Sequence, residues 1–490
     1  MLKPAPAFLT ALLLAFTSHV IAAVSVTEFG AKGDGIADDT RAIQSALDTG
    51  KNVVIPEGTF RISDALSPKA NQVIELIGTV RIADSIVQRV TADAAAGQPS
   101  VTVADASGYY AGQWVTMGAD DLPMQGGGGG VHKDRREGGD CGRIASIAGN
   151  MITFELPLRR AYKLAANPRL GSQPSAFLIT QSGVRIHGTG VIDGNRAKQF
   201  DFAPGDMTPK QGRGEDTRAG CGISIDSQLE PVAHTCIEGI TIRDCILHNL
   251  SLYNTQHTLI SHVTCIRAHD KNVVLRRSEY CQLIGNQCLD SVFEDGIIIY
   301  ANNNHCIVQG NICARNARVG IGVNAFQTGI LLSGNICKDN GANLMLRGDY
   351  CSSTGDFCSG TGDVVIHGRG NQVNGLIALC SVDISATDLS YTGGIISGSD
   401  EAPLKVAMTI ARTSDDKRVA LVDGVRIRQV TMKNCHTAVN VKGVIKDVRL
   451  IENRIQAKGE PFAIAAECEE QVTLERNETG AERAMQNKAQ

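Results

Sequence analysis

A repeat of 20 to 25 residues runs through the middle of the chain and constrains the fold more than any other feature of the sequence. Each copy alternates short apolar stretches with polar turns, and each carries a cysteine. Successive spacings of 20, 23, 25 and 24 residues separate Cys245, Cys265, Cys288, Cys313 and Cys337. A period of this length is typical of the rungs of a parallel β-helix, in which each turn of chain stacks on the previous one.

One strand of each repeat alternates with a period of two, which predicts that apolar side chains point inward and their neighbours outward. The inward pairs are Leu250 and Leu252, Val273 and Leu275, Ile297 and Ile299, Ile321 and Val323, and Leu344 and Leu346. With residues 222–226 as the preceding rung, the outward position after each pair holds Asp226, Tyr253, Arg276, Tyr300, Asn324 and Arg347. We therefore predict a row of polar side chains along the solenoid axis.

The N-terminal part of the chain has a different pattern at residues 24–66. A short strand leads into a glycine-rich turn, a helix that Asp38, Asp39 or Thr40 can cap, and a strand–turn–strand segment. The core of this unit reads FGAKGDGIADDTRAIQSALDTGKNVVIPEGTFRI. It closely resembles the N-terminal unit of the pectate lyase-like superfamily, which includes polygalacturonases, phage tailspike depolymerases and mannuronan C5-epimerases. The resemblance implies an all-β, single-stranded right-handed parallel β-helix whose N-terminal end is capped by the helix.

We expect five segments along the chain. Residues 1–23 have the layout of a secretory signal peptide, and their apolar run is shorter than the about 20 residues that span a bilayer. We therefore predict a secreted or periplasmic protein without a membrane span. Residues 24–91 form the cap and first rungs, 92–165 a β insertion, 166–478 the β-helix and 479–490 a disordered tail. The glycine tract at residues 125–130 of the insertion is either a plain surface loop or a lid over a substrate groove.

Charge and cysteine content limit the remaining possibilities. A net charge of −4, with both signs interspersed, argues against a nucleic-acid partner. The 15 cysteines are an odd number, so at least one thiol is unpaired within the chain. We interpret the five repeated cysteines as an interior ladder and Cys281 with Cys306 as a second stack, although vertical disulfides remain an alternative. Cys351 and Cys358 lie in a polar stretch and are predicted to form a disulfide.

The outward row favours chemistry on an acidic polysaccharide. Arginine pairs with planar carboxylates, and tyrosine rings pack against sugars while their hydroxyl groups hydrogen-bond. For β-elimination at a uronic acid, Arg276 or Arg347 would neutralise the carboxylate, while Tyr253 or Tyr300, or a nearby arginine or histidine, would transfer protons. Arg347, Asn324 and the nearby His257 are candidate substrate contacts, with His257 alternatively a simple turn residue. The competing interpretation of the whole row is an ordinary solvated surface.

Hydrolysis is the second enzymatic alternative. It needs two carboxyl groups about 5 Å apart for retention or 6.5–9.5 Å apart for inversion. Asp226 with Glu294 or Asp295 is the candidate pair, and Glu294 and Asp295 are also candidate substrate or calcium ligands. The motifs of the resembled enzymes are missing. Polygalacturonases carry Asn-Thr-Asp, Asp-Asp and Gly-His-Gly, for which this chain shows only Asn254-Thr255-Gln256, Glu294-Asp295 and His367-Gly368-Arg369. Mannuronan epimerases carry Asp-Pro-His-Glu, where this chain has Tyr253-Asn254-Thr255-Gln256. No catalytic residue is therefore carried over from them.

The sequence thus predicts a carbohydrate-active enzyme, with a lyase as the leading hypothesis and a glycoside hydrolase as the alternative. A non-catalytic β-helix that binds an extracellular polysaccharide is a third hypothesis from another class. No cofactor is required by these hypotheses, although calcium is compatible with the acidic residues. The oligomeric state stays open; the resemblance to tailspikes, which trimerise, makes a trimer one option.

Overall fold

The protein is a right-handed parallel β-helix that is interrupted once by an antiparallel insertion. A computed structural model describes residues 23–127, 130–136, 139–200, 202, 218–227, 230–412 and 421–480. The expected signal peptide up to residue 22 and the expected tail from residue 481 lie outside these residues. From Phe177–Ile179 onward the rungs build three faces, whereas the rungs before it contribute strands to only two of them, and the strands of successive rungs pair in parallel. The predicted fold class is confirmed.

The strands of each face stack in rung order along the solenoid axis. The first face consists of Val24–Ser25, Val53–Ile55, Val73–Leu76, Arg185–Gly188, Cys236–Glu238, Leu259–Ser261, Gln282–Ile284, Ile307–Gln309, Leu331–Ser333, Ser352–Thr354, Gln372–Asn374, Ser390–Thr392, Val425–Arg428, Val448–Ile451 and Val472–Glu475. The second face consists of Asp34–Asp38, Thr59–Ile62, Thr79–Ile82, Val191–Asp193, Thr241–Arg243, Thr264–Ile266, Gln287–Leu289, Ile312–Ala314, Ile336–Lys338, Phe357–Ser359, Ile377–Leu379, Ile395–Ser397, the start of Thr431–Lys442, Arg454–Ala457 and Glu478–Thr479. The third face consists of Phe177–Ile179, Ile223–Asp226, Leu250–Tyr253, Val273–Arg276, Ile297–Ile299, Val319–Val323, Ala342–Leu346, Asp363–Arg369, Val382–Thr387, Leu404–Ala411, the end of Thr431–Lys442 and Phe462–Ile464.

A single apolar core runs the length of the solenoid. The inward residues of the alternating strands, such as Leu250, Leu252 and Leu275, are fully buried in it. Turns between the faces are stabilised by stacked amides, because a side chain at one register lies directly below its counterpart in the next rung. Asn286 donates to Asn311 at 2.9 Å, and Asn311 donates to Asn335 at 3.0 Å. These ladders satisfy polar groups that the turns bury.

The cysteine ladder exists, but one of its members was assigned wrongly. Strand register aligns Cys265, Cys288, Cys313, Cys337 and Cys358 on the second face. Cys265 pairs in the other direction with Ile242 and not with Cys245, which is buried at the following turn. All cysteines are free thiols, so the predicted Cys351–Cys358 disulfide is wrong. Both of these side chains face the core, where Cys358 stacks on Cys337.

The only α-helix among the described residues, Thr40–Asp48, packs on the N-terminal rungs. Its buried face carries Ile43, Ala46 and Leu47, in keeping with the apolar stripe of the sequence. Asp38 accepts from the backbone N–H of Thr40 at 3.0 Å, whereas the N-cap residue Asp39 makes no capping hydrogen bond with its side chain. Short 3-10 turns occur at Val26–Phe29, Leu164–Ala166, Arg196–Lys198 and Ala466–Gln471. In the described part of the chain, no helix has the length and apolar character to cross a membrane.

An antiparallel sheet interrupts the solenoid between Thr79–Ile82 and Phe177–Ile179. Its strands, in spatial order, are Val87–Arg89, Arg169–Ser172, Trp114–Gly118, Cys141–Ala148, Met151–Phe154 and Ser100–Thr102. The sheet has an apolar core of its own, separate from that of the solenoid. Met124–Gly127 pairs with Gly130–Arg136 in an antiparallel hairpin that holds most of the glycine tract. Val232–Ala233 and Thr255–Gln256 form a small parallel pair elsewhere.

Candidate active site

The outward polar row of the third face lies in register across consecutive rungs. Asp226 is paired directly with Tyr253, and Tyr253 with Arg276. The next members each follow a strand residue that is paired with its counterpart, namely Leu275 with Ile299, Ile299 with Val323, and Val323 with Leu346. Tyr300, Asn324 and Arg347 therefore continue the row at intervals of about 4.8 Å. We call these six residues the polar row.

Several members of the polar row are withdrawn from solvent. Asp226 is only 4% exposed and Arg276 only 7%, while the remaining four side chains are partly buried. Charged side chains are rarely buried in a surface that serves only solubility, because desolvation is costly. The burial of Asp226 and Arg276 thus argues against the interpretation of the row as an ordinary solvated face.

Two arginines, Arg276 of the polar row and its neighbour Arg277, contact tyrosine rings of the row. The guanidinium carbon of Arg276 lies 5.3 Å from the ring centroid of Tyr300. Arg277, which is exposed, lies 5.5 Å from the ring of Tyr253. Such cation–π contacts are favourable and orient the planar guanidinium group. The arrangement places one buried cation between two phenols in adjacent rungs.

A small apolar cluster supports Tyr300 from the outer side of the same sheet. Val274, Ile298 and Met345 occupy outward positions, yet each is at most 4% exposed. They pack together over Gly322, where any β-carbon would collide with the side chain of Ile298. Tyr300 packs against this cluster. The outer surface of the third face therefore has an ordered apolar floor beside the polar row, which was not expected from the sequence.

Glu294 and Asp295 belong to a buried ion network at the other end of the third-face strands. Lys271 Nζ lies 2.8 Å from Asp270 and 2.7 Å from Glu294. Arg318 lies 3.0 Å from Asp295, whose other oxygen accepts from the backbone N–H of Val319 at 3.1 Å. Burial, followed by the nearby charge of Glu294, raises the pKa of Asp295 against the opposing effect of its basic partners. His248 adjoins the network, with Nδ1 3.6 Å from Asp270.

The structure does not bring Asp226 together with Glu294 or Asp295. Three rungs separate them, which amounts to roughly 14 Å along the axis alone. They also lie at opposite ends of their strands. Glu294 and Asp295 have lysine or arginine partners instead of an open coordination position. In the part of the chain that is described, no cluster of three or more His, Cys, Asp or Glu side chains is arranged for a metal ion.

His257 lies outside the polar row, in an exposed aromatic stack. It has a left-handed backbone conformation with φ of 50° at the turn that follows Tyr253. Its ring stacks on His234 at 5.2 Å and on Tyr280 at 5.3 Å, and Tyr280 stacks on His305 at 5.5 Å. The turn interpretation of His257 describes its position, and its contact with substrate stays a prediction.

Sequence reasoning missed two parts of this surface. The polar row continues by one rung to His367, which is buried. Leu346 is paired with Ile366, so that His367 follows Arg347 in the row, and His367 is itself paired with Ser385. The same alternation, read one rung further through Val364 and Ile366, would have found it. The ion network gave no comparable signal, since Lys271 and Arg318 occupy turns whose lengths vary between rungs.

Comparisons with known proteins agree with this architecture. Residues 23–116 match the family model described as rhamnogalacturonase A/epimerase, pectate lyase-like. The pre-neck appendage protein of Bacillus phage phi29 is 39% identical over 67 residues, which are 13% of this chain and 8% of that protein. Plasmin and fibronectin-binding protein A of Streptococcus pneumoniae is 43% identical over 60 residues, 11% of this chain and 8% of that protein. The matched stretch is thus a small part of both relatives.

A solved structure extends the likeness over the whole β-helix. The A-module of the mannuronan C-5 epimerase AlgE6 from Azotobacter vinelandii superposes with a TM-score of 0.56. The alignment covers 93% of this chain and 99% of that module at 14% identity, so the likeness concerns the fold. The likeness shows that the chain shares the parallel β-helix fold, and the match of residues 23–116 to the pectate lyase-like model agrees with the resemblance of its N-terminal unit.

Proposed function

We propose that this protein is a secreted polysaccharide lyase that cleaves an acidic polysaccharide by β-elimination at the polar row. The observation that carries the proposal is the buried guanidinium of Arg276, which lies in register between Tyr253 and Tyr300. A buried cation between two proton-transfer groups matches what elimination at a uronic acid requires. The fold supports a carbohydrate ligand, since the epimerase that shares it is named for a polyuronate.

The reaction can be written with the side chains of the row. Arg276 pairs with the C6 carboxylate of a uronate, which stabilises the negative charge that develops when C5 loses its proton. One of the two flanking tyrosines reacts as the phenolate and takes the C5 proton, and the other reacts as the neutral phenol and supplies a proton to the departing glycosidic oxygen, so that proton exchange with solvent restores both for the next turnover. The C4–O bond breaks as the C4–C5 double bond forms. The products are a new reducing end and an unsaturated uronate end.

The remaining members of the row are placed to hold neighbouring sugar units. Asn324 and Arg347 lie one and two rungs beyond Tyr300, and Asp226 lies one rung beyond Tyr253 on the other side. A polymer that binds along the axis would therefore meet polar groups on both sides of Arg276. Arg347 provides a second cation for a uronate carboxylate about 14 Å from Arg276.

Geometry gives less support to hydrolysis. A glycosidase needs two carboxyl groups within 9.5 Å. Asp226 is the sole carboxylate in the polar row, and its proposed partners Glu294 and Asp295 lie roughly 14 Å or more away. These two residues are also engaged with Lys271 and Arg318. The arrangement of charges thus favours elimination, in which a cation rather than a second carboxylate is essential.

Incubation of the protein with a panel of polyuronates tests the proposal. The panel contains polymannuronate, polyguluronate, polygalacturonate and a glucuronate-containing polymer. Ultraviolet absorbance reports unsaturated ends, and a reducing-end assay runs in parallel. We expect both signals to rise together on at least one polymer. Reducing ends without absorbance would establish hydrolysis, and no signal with any polymer would contradict the proposal.

A further inference from the structure

A cleft lies where the insertion meets the first rungs of the solenoid, at the edge where the chain passes from the second face to the third. Its volume is about 230 Å³. Polar lining groups come from both sides: Asp38, Arg61, Ser63 and Asp84 from the rungs, and Tyr110 and Gln113 from the insertion. This edge is opposite to the polar row, which follows the carboxyl ends of the third-face strands. The cleft is therefore a separate feature from the proposed lyase site.

Hydrogen bonds between the two parts of the molecule hold the cleft in shape. Tyr110 donates from its hydroxyl group to the backbone carbonyl of Ser63 at 3.1 Å. Ser85 donates to the carbonyl of Ser172 at 2.6 Å, and the hydroxyl group of Ser172 accepts from the N–H of Ile86 at 2.8 Å. A binding site whose walls are fixed in this way loses little entropy when a ligand enters.

The available hydrogen-bonding groups of the cleft are mainly acceptors. The hydroxyl groups of Ser63 and Tyr110 already donate to Asp38 and to the carbonyl of Ser63. Gln113 is 1% exposed, and its side-chain oxygen has no hydrogen-bond partner. A buried acceptor without a partner is costly, and a ligand that donates to it removes that cost. Asp84 adds an exposed carboxylate, one oxygen of which accepts from Asn195 at 2.9 Å.

The charge and the volume of the cleft limit the class of ligand that it can bind. Two carboxylates, Asp38 and Asp84, face one cation, Arg61, so that a uronate or phosphate would be repelled on balance. The volume lies below the 300–1,000 Å³ that is usual for drug-sized molecules, which suits a single sugar ring. Neighbouring hydroxyl groups of a sugar can donate together to carboxylate and amide oxygens. We propose that this cleft binds one neutral sugar residue, with Asp84 and Gln113 as the acceptors of its hydroxyl protons.

Saturation-transfer NMR and calorimetry on the full chain test this site. The probes are the methyl glycosides of glucose, galactose, mannose and rhamnose, with methyl glucuronide as the anionic comparator. We expect at least one neutral glycoside to bind more tightly than methyl glucuronide. Asp84→Ala should weaken that binding about tenfold, as expected for the loss of a charged hydrogen bond, and Gln113→Leu should also weaken it. Asp121→Ala, which removes an exposed carboxylate elsewhere in the insertion, is the matched control.

The outcomes separate this site from the polar row. Arg276→Ala should leave neutral-sugar binding unchanged, because Arg276 lies on another face. The proposal is overturned if no neutral glycoside binds, if methyl glucuronide binds more tightly than all of the neutral glycosides, or if both Asp84→Ala and Gln113→Leu bind as tightly as the wild type. Since Asp84 is exposed, its substitution keeps the test valid even where Gln113→Leu disturbs folding.

Discussion

The two tyrosines beside Arg276 have the clearest chemical consequence at the scale of single residues. If they transfer protons, Tyr253→Phe and Tyr300→Phe should each lower kcat by about 10²- to 10⁴-fold, because the ring remains and only the hydroxyl group is lost. Tyr280→Phe, in the exposed aromatic stack, is a suitable control. The measurement is the initial rate of absorbance on the polymer that the wild type cleaves. Wild-type rates in both variants would exclude the tyrosines as proton carriers.

Lys271 is predicted to be a structural cation and not a substrate contact. It is buried and lies within 2.8 Å of both Asp270 and Glu294. Removing one member of a buried ion network typically costs about 3–5 kcal/mol, since the remaining charges lose their compensation. We expect Lys271→Ala to lower the free energy of unfolding by that amount in a urea titration. Lys338→Ala, at an exposed site, should change it by less than about 0.5 kcal/mol; equal effects would show that the network is not important for stability.

Asp64 is expected to make stability depend on pH. Burial raises its pKa to about 6, so the folded state binds a proton more readily than the unfolded chain. The stability from this group is fully present below pH about 4 and is lost as the pH rises through about 6. Asp64→Asn does not ionise, so its advantage in unfolding free energy over the wild type should grow to about 2 kcal/mol between pH 4 and 7. An advantage that is constant over this range would contradict the assignment.

At the scale of strands and turns, the sequence predicted most of what the structure contains. The period of two identified the inward and outward residues of the third face, because burial on one side and solvent on the other select that alternation. Cys245 was misplaced because the alignment followed the cysteines instead of the apolar pattern, whereas Ile242 occupies the ladder position. The ion network of Lys271 and Arg318 could not be predicted from the repeat, because these residues lie in turns of unequal length. The apolar cluster of Val274, Ile298 and Met345 contradicts simple alternation, since these outward side chains are buried by one another.

The cysteine ladder predicts which thiols can be alkylated in the folded and in the unfolded protein. All 15 cysteines are free thiols, and those of the ladder are fully buried in the core. Alkylation in guanidinium chloride without a reductant, followed by mass spectrometry, should therefore label 15 sites. Native alkylation should leave the ladder unlabelled, because the reagent cannot reach it. A disulfide-linked peptide that contains Cys351 and Cys358 would show that these residues form a disulfide and would contradict the structure.

At the scale of the whole molecule, fold and site differ in how far sequence determines them. A repeat that stacks on itself specifies a parallel β-helix, because each rung must bury its apolar side against the next. The insertion was predicted to be β structure, but it has no repeat, so the strand order of its six-stranded sheet and the cleft beside Tyr110 could not be foreseen. Reaction type depends on which side chains of distant rungs come together. The alternation of the sequence predicted that Arg276 lies between two tyrosines, whereas only the register of strands showed that Asp226 lies far from Glu294.

The central claim is that Arg276 neutralises a uronate carboxylate during elimination. The most direct test compares the rate of ultraviolet absorbance for the wild type, Arg276→Ala and Arg315→Ala on the polyuronate that the wild type cleaves. Arg315 is an exposed arginine paired with Asp290, away from the polar row. We predict that Arg276→Ala loses at least about 100-fold in kcat, as for the removal of a group that stabilises a developing anion, while Arg315→Ala keeps the wild-type rate. A wild-type rate in Arg276→Ala would contradict the claim.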